Sequence, residues 1–119
     1  MTLRDVRDIL DADVLCGEPM LDREVKTAFA CDLISEMLAF ASGGTLLITS
    51  LKNLHVIHTA EVMDAVGVVF VGGKPSNLMA MKQVSSSRIP LLATDLLIFK
   101  CCGLLFEQGI QGARRDCLQ

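Results

Sequence analysis

The stretch Thr45-Leu46-Leu47-Ile48-Thr49-Ser50-Leu51-Lys52-Asn53 decides the fold. Its first five residues are an unbroken run of aliphatic and β-branched side chains. A strand with one wet face alternates polar and apolar residues, whereas a continuous run marks a strand covered on both faces, as in parallel sheets. The run stops at a polar turn, Ser50 to Asn53, and a helical pattern continues to about Ala65. The unit then recurs. Val68-Val69-Phe70-Val71 leads into Gly72-Gly73-Lys74-Pro75-Ser76 and a helix to about Ser85. Ile89-Pro90-Leu91-Leu92-Ala93 leads into Thr94-Asp95 and a helix to about Gly109. Strand starts at 45, 68 and 89 lie about 22 residues apart, tight spacing for a strand plus a crossover helix.

Upstream, Thr2 is placed to cap a helix whose first turn holds Asp5 and whose apolar stripe is Leu3, Val6, Ile9 and Leu10. Val14-Leu15-Cys16-Gly17 reads as a short strand ending in a Gly-Glu-Pro turn, and Val25–Cys31 as another strand. Asp32 then stands where it would cap a helix over Leu33–Phe40, with Glu36 near the third position. The expected fold is therefore α/β: a single domain over 1–119, of repeated βα units around a mostly parallel sheet of about four to five strands. Its core spans about 13–110, and 111–119 form a C-terminal tail.

With parallel strands and right-handed crossovers, the three polar turns fall along one edge, outside the carboxyl ends of the strands. Ligands of open α/β sheets bind there. The candidate ligand-binding residues are Thr49, Ser50, Asn53, Gly72, Gly73, Lys74 and Thr94. The loop Gly72–Ser76 has two readings. Its backbone N–H groups and Lys74 suit an anion ahead of a helix, or it is a plain turn, with glycine for positive φ and proline before the helix. It is neither a Walker loop nor G-x-G-x-x-G. Thr94 and Asp95 also read as caps for the last helix.

That last helix is apolar around nearly its whole circumference, with only Lys100 and Glu107 clearly polar between Leu96 and Glu107. A helix apolar all round is buried all round, and in 119 residues one side faces the sheet while the other needs a second subunit. Gly103 costs about 1 kcal/mol relative to Ala in mid-helix, and it permits close backbone approach. Phe99, Cys102, Gly103 and Phe106 are the candidate dimer-interface residues; the other reading is an ordinary core helix. A hydrophobic share of 51% and a mean hydropathy of +0.48 point the same way, to a homodimer.

Other function classes are disfavoured. Net charge is −3 and Trp and Tyr are absent, which argues against nucleic-acid binding. No apolar stretch approaches the roughly 20 residues of a membrane span, and the charged N-terminus is unlike a signal peptide, so a cytoplasmic location is expected. The five cysteines include no C-x-x-C pair and are expected as reduced thiols in or near the core. No metal or cofactor is expected: His55, His58 and Glu61 share a helix face that reads as solvated. No nucleophile elbow or paired carboxylate is present, so no catalytic residue is assigned. A thiol-based redox role would require an accessible cysteine of low pKa.

The ordered segments also resemble a known module. Asp32–Ala39, Leu46–Thr49, Val56–Asp64, Val68–Pro75, Ile89–Thr94 and Phe99–Ile110 together resemble a DRTGG domain over about two-thirds of the chain. The literal Asp-Arg-Thr-Gly-Gly string is missing; Ser50-Leu51-Lys52-Asn53 follows Thr49. The resemblance implies an α/β fold, frequent dimerisation and a regulatory role, as in modules attached to phosphate acetyltransferases and to pyrophosphatases that carry nucleotide-sensing CBS domains. The expected function is a non-catalytic regulatory or ligand-sensing homodimer for a nucleotide or other small anionic ligand. The alternative is a structural or protein-interaction module that docks onto a partner enzyme and binds no small molecule.

Overall fold

In the computed structural model, residues 1–85 and 88–114 are described. The run that opened the sequence reading is β3 (Thr45–Thr49), and all five of its residues are buried. Its neighbours are β4 (Gly67–Phe70) on one side and β2 (Thr27–Ala30) on the other, both parallel to it. β5 (Leu91–Ala93) adds in parallel beyond β4, with Val69 opposite Leu92. β1 (Asp13–Cys16) closes that side antiparallel to β5, with a bulge between Val14 and Cys16. The two-residue β6 (Gln111–Gly112) pairs in parallel with Thr27 and Ala28. The order is β1-β5-β4-β3-β2-β6, one strand more than expected, because the start of the expected tail joins the sheet.

Side chains on successive strand residues point to opposite faces, so each apolar run feeds two layers. Leu46, Ile48, Val69, Val71 and Leu92 meet α1 (Leu3–Leu10) and α5 (Ile98–Glu107) through Leu3, Val6, Leu10, Cys101 and Leu105. Leu47, Val68, Phe70, Leu91 and Ala93 face α2 (Ile34–Phe40), α3 (Leu54–Val62) and α4 (Leu78–Ser85) through Met37, Val56, Ile57, Ala60 and Met81. Leu3, Val6 and Leu10 are fully buried, so the helix before residue 13 is part of the core.

α1 forms as its sequence demands. The Asp5 N–H donates to Thr2 Oγ1 (3.3 Å) and the Thr2 N–H to Asp5 Oδ2 (2.9 Å), a reciprocal capping box. α3 stops at Val62, short of the expected Ala65, because Asp64 turns into the left-handed region at φ 55°. The Ala65 N–H then reaches Ala60 O and the Asp64 N–H reaches Glu61 O, a Schellman ending with aspartate where glycine is usual. No helix among the described residues is long and apolar enough to cross a membrane.

Candidate ligand-binding edge

β2, β3, β4 and β5 run parallel, so their carboxyl ends and following turns share one edge. Thr49 ends β3 fully buried. Its hydroxyl donates to Asp32 Oδ1 (2.9 Å) and accepts from the Leu51 N–H (3.1 Å). The Ser50 N–H donates to the same Asp32 oxygen (2.7 Å), and the Ser50 hydroxyl donates to Asp32 Oδ2. The Ser50 hydroxyl bond is the largest influence and, with lesser help from the Ser50 N–H and the Thr49 hydroxyl, outweighs the opposing effect of burial and holds the Asp32 carboxyl below the ordinary carboxylate range.

This corrects the expected role of Asp32. The N-cap of α2 is Leu33, with no side-chain hydrogen bond; the Asp32 carboxylate reaches across to the next turn. Three donors converge there, against the single backbone N–H that a cap position offers.

The other turns are stitched in the same manner. Lys52 Nζ donates to Val71 O (2.8 Å) and Ser50 O (3.3 Å), joining the ends of β3 and β4. Asn53 Oδ1 accepts from the Val56 N–H (3.2 Å) and caps α3. Gly72 and Gly73 have φ of 74° and 112°, open to glycine and costly for other residues. Their N–H groups donate to Leu96 O (2.8 Å) and Thr94 O (2.9 Å). Lys74 forms an exposed ion pair with Asp13 (3.2 Å). Thr94 is buried; its hydroxyl donates to Leu10 O (2.9 Å) and accepts from the Leu96 N–H (3.2 Å). The N-cap of α5 is Leu97, again without a side-chain bond. Thr94 and Asp95 therefore do not cap α5: the helix starts at Ile98, a turn later than either residue could reach.

All seven candidate ligand residues lie on the turns of this edge. The amides of Gly72 and Gly73 and the hydroxyls of Thr49 and Thr94 have intramolecular partners; Ser50 and Lys74 are exposed, though Ser50 is bonded to Asp32 and Lys74 to Asp13. Sequence reasoning missed Lys52 as the strap between β3 and β4, and it missed Asn77. Asn77 Oδ1, just ahead of α4, is enclosed without a hydrogen-bond partner, and a buried acceptor ordinarily finds a donor. The spacing of polar residues between β4 and α4 was the available signal, but it does not distinguish Ser76 from Asn77.

A cavity of about 140 Å³ beside this edge is lined by Leu10, Asp11, Thr94, Asp95 and Leu96. A more polar cavity of about 340 Å³ lies at the opposite ends of the strands, among Arg23, Glu61, Asp64 and Arg88, and includes none of the candidates. On α5, Phe99 is 87% and Phe106 68% exposed, a Cβ on Gly103 would meet nothing within 4 Å, and Cys102 is half-buried. The four candidate interface residues thus share the open side of the helix. Cys16, Cys31, Cys101 and Cys102 are not joined in disulfides. Burial pushes Cys31 and Cys102 up, and Cys101 up to about 11, opposite to what a redox-active thiolate needs. Cys117 lies outside the described residues.

No family model and no curated sequence matches the chain. A solved structure does: the CBS and DRTGG domains of the regulatory region of Clostridium perfringens pyrophosphatase, complexed with the activator diadenosine tetraphosphate. The TM-score is 0.64 at 17% identity, over 99% of this chain and 50% of that one. The fold is DRTGG-like. At this identity the likeness concerns the fold, and the DRTGG-like chain spans about half the length of the structure it resembles.

Proposed function

We propose that this DRTGG-like domain is a non-catalytic regulatory module that senses a nucleotide or another small anionic ligand at the carboxyl edge of its sheet and works as a homodimer. The observation that carries the reading is the convergence of four parallel strand ends on turns holding Ser50, Lys52, Lys74 and the unsatisfied acceptor of Asn77. The likeness to a regulatory region crystallised with a dinucleotide activator supports it. Lys74 is the residue best placed to meet an anion, because its pairing with Asp13 is exposed and a ligand phosphate competes well with such a surface pair.

A second reading is favoured by a specific feature: the amides of Gly72 and Gly73 are bonded to Leu96 and Thr94, so the loop offers no open anion cradle. In that reading the domain docks onto an enzyme and binds no small molecule. Thermal-shift titration with adenine nucleotides, diadenosine tetraphosphate and acetyl phosphate separates the two. A ligand at 100 times its Kd stabilises the folded state by about 2.7 kcal/mol, and Lys74→Ala should diminish that shift. No shift with any of these ligands, together with a stable protein partner retained from the native host, would establish the docking reading instead.

A further inference from the structure

The two faces of the sheet are covered unequally. Among the described residues, three helices, α2, α3 and α4, lie on one face, whereas α1 and α5 lie on the other. Beside α5, over β2 and β6, the sheet surface is an open slot of about 150 Å³. Its floor is Ala28, Ala30, Ile48 and Gly112, and its wall is Cys102, Leu105 and Phe106 of α5. The small floor residues keep the slot low, and Gln111 is the one amide side chain in an otherwise mainly apolar lining. An enclosed apolar cavity of about this volume takes up benzene, so the open slot has room for a phenyl ring.

The same helix carries such a ring. At 100° per residue, Cys102, Phe106, Phe99 and Gly103 fall within an arc of about 100°, on the slot side and outward side of α5. Phe99 is the most exposed large apolar side chain among the described residues. Knob and hole thus share one continuous surface, which is the condition for an isologous two-fold contact.

Resting on the homodimer reading above, we propose that Phe99 of each copy fills the slot beside α5 of the other. The two α5 helices then cross antiparallel at Gly103, and each supplies the helix that the other's sheet face lacks. A two-fold axis at Gly103 sets Phe99 of one copy level with Phe106 and Glu107 of its partner. Charge follows the same register. Lys100 and Glu107, both exposed, border the apolar arc on the side away from the slot, and the antiparallel crossing brings each Lys100 to the partner's Glu107. Phe99 and Phe106 alone contribute about 300 Å² of exposed apolar surface per copy. The pair of copies doubles that, and the slot walls add to it, toward the roughly 1,000 Å² of a specific contact.

The test is dimer affinity by sedimentation across a protein dilution series, with circular dichroism and Tm confirming that each variant is folded. Phe99→Ala should weaken the dimer at least about thirty-fold, as expected of a central aromatic anchor. Ala30→Trp, at an exposed floor position, should do the same by filling the slot. Lys100→Glu should weaken the dimer about fivefold, and adding Glu107→Lys should restore it. Val62→Asp, on the exposed side of α3, should leave the dimer unchanged. A wild-type protein that stays monomeric overturns the homodimer reading and this inference with it, and points to a different partner for α5. A wild-type dimer unmoved by Phe99→Ala and Ala30→Trp overturns the inference alone, and a charge swap without recovery overturns the antiparallel crossing. Should Ala30→Trp not fold, Phe99→Ala and the charge swap decide the matter.

Discussion

Replacing Asp32 by alanine tests the reading of the sheet edge as a stitched surface. The carboxylate accepts from the Thr49 hydroxyl, the Ser50 N–H and the Ser50 hydroxyl. A hydrogen bond to a charged group contributes about 1.5–3 kcal/mol at best, but Asp32 is itself exposed, and Ser50 can turn to water when its partner is removed. Solvent therefore recovers most of the Ser50 bonds. The Thr49 hydroxyl is fully buried and loses the acceptor for its proton, which costs about 1 kcal/mol. With a few tenths from Ser50, Asp32→Ala should destabilise by about 1–2 kcal/mol, and in a domain of this size lower Tm by about 4–8 °C. Asp32→Asn keeps one acceptor oxygen and should lose about half as much. The pH dependence has a fixed sign. The folded carboxyl titrates below its unfolded value near 3.9, so its contribution is whole above that pH and disappears as pH falls through the folded value. Urea titrations of wild type and both variants at pH 7 and pH 3 measure this directly. An Asp32→Ala protein within about 0.3 kcal/mol of wild type at pH 7 would refute the reasoning, and so would a wild-type advantage that grew in acid.

Three further outcomes follow from local geometry. Asp64→Gly should stabilise by about 0.5–1 kcal/mol, since glycine occupies the left-handed end of α3 without a Cβ penalty; an unchanged urea midpoint would count against the Schellman assignment. Gly17→Ala should cost about 2–4 kcal/mol, because the residue has φ 85° and a Cβ there would lie 2.6 Å from Pro90 Cα; a near-native Tm would show that the β1–β5 margin yields easily. Cys101 is fully buried, with its thiol pushed up to about 11. Iodoacetamide at pH 8 should label it at least about tenfold more slowly in the folded than in the urea-unfolded protein, as mass spectrometry of the peptide would show.

The central fold was legible because its signals are local and mutually consistent. Thr45–Thr49 and Val68–Phe70 are apolar without interruption since helices cover both faces, and Thr2 with Asp5 states a helix start within four residues. What the chain does at longer range was not legible. Asp32 satisfies every local rule for a cap, yet Thr49 and Ser50, distant in sequence and adjacent in space, offer it more. The same competition took Thr94 away from α5 and toward Leu10. The Gly72–Gly73 turn was read correctly in conformation, but the partners of its amides come from the loop before α5. The apolar circumference of α5 was legible in the sequence, whereas the slot beside it was not, because it depends on Ala28 and Ala30 lying next to that helix. β6 is two residues long and carries no strand signature of its own.

The pairing of β1 with β5 has a consequence for how the chain matures during synthesis. Asp13 finds its place opposite Ala93, and Leu10 is held by Thr94, a separation of 84 residues. Residues 1–4 can bond to residues 21–25 early, but β1 and the end of α1 lack their partners until residues 91–94 are made. Loop closure over that span, rather than helix formation, should set the pace of the last folding step. A break in the loop after β1, with the α1–β1 piece supplied separately, would turn that step into an association between two fragments.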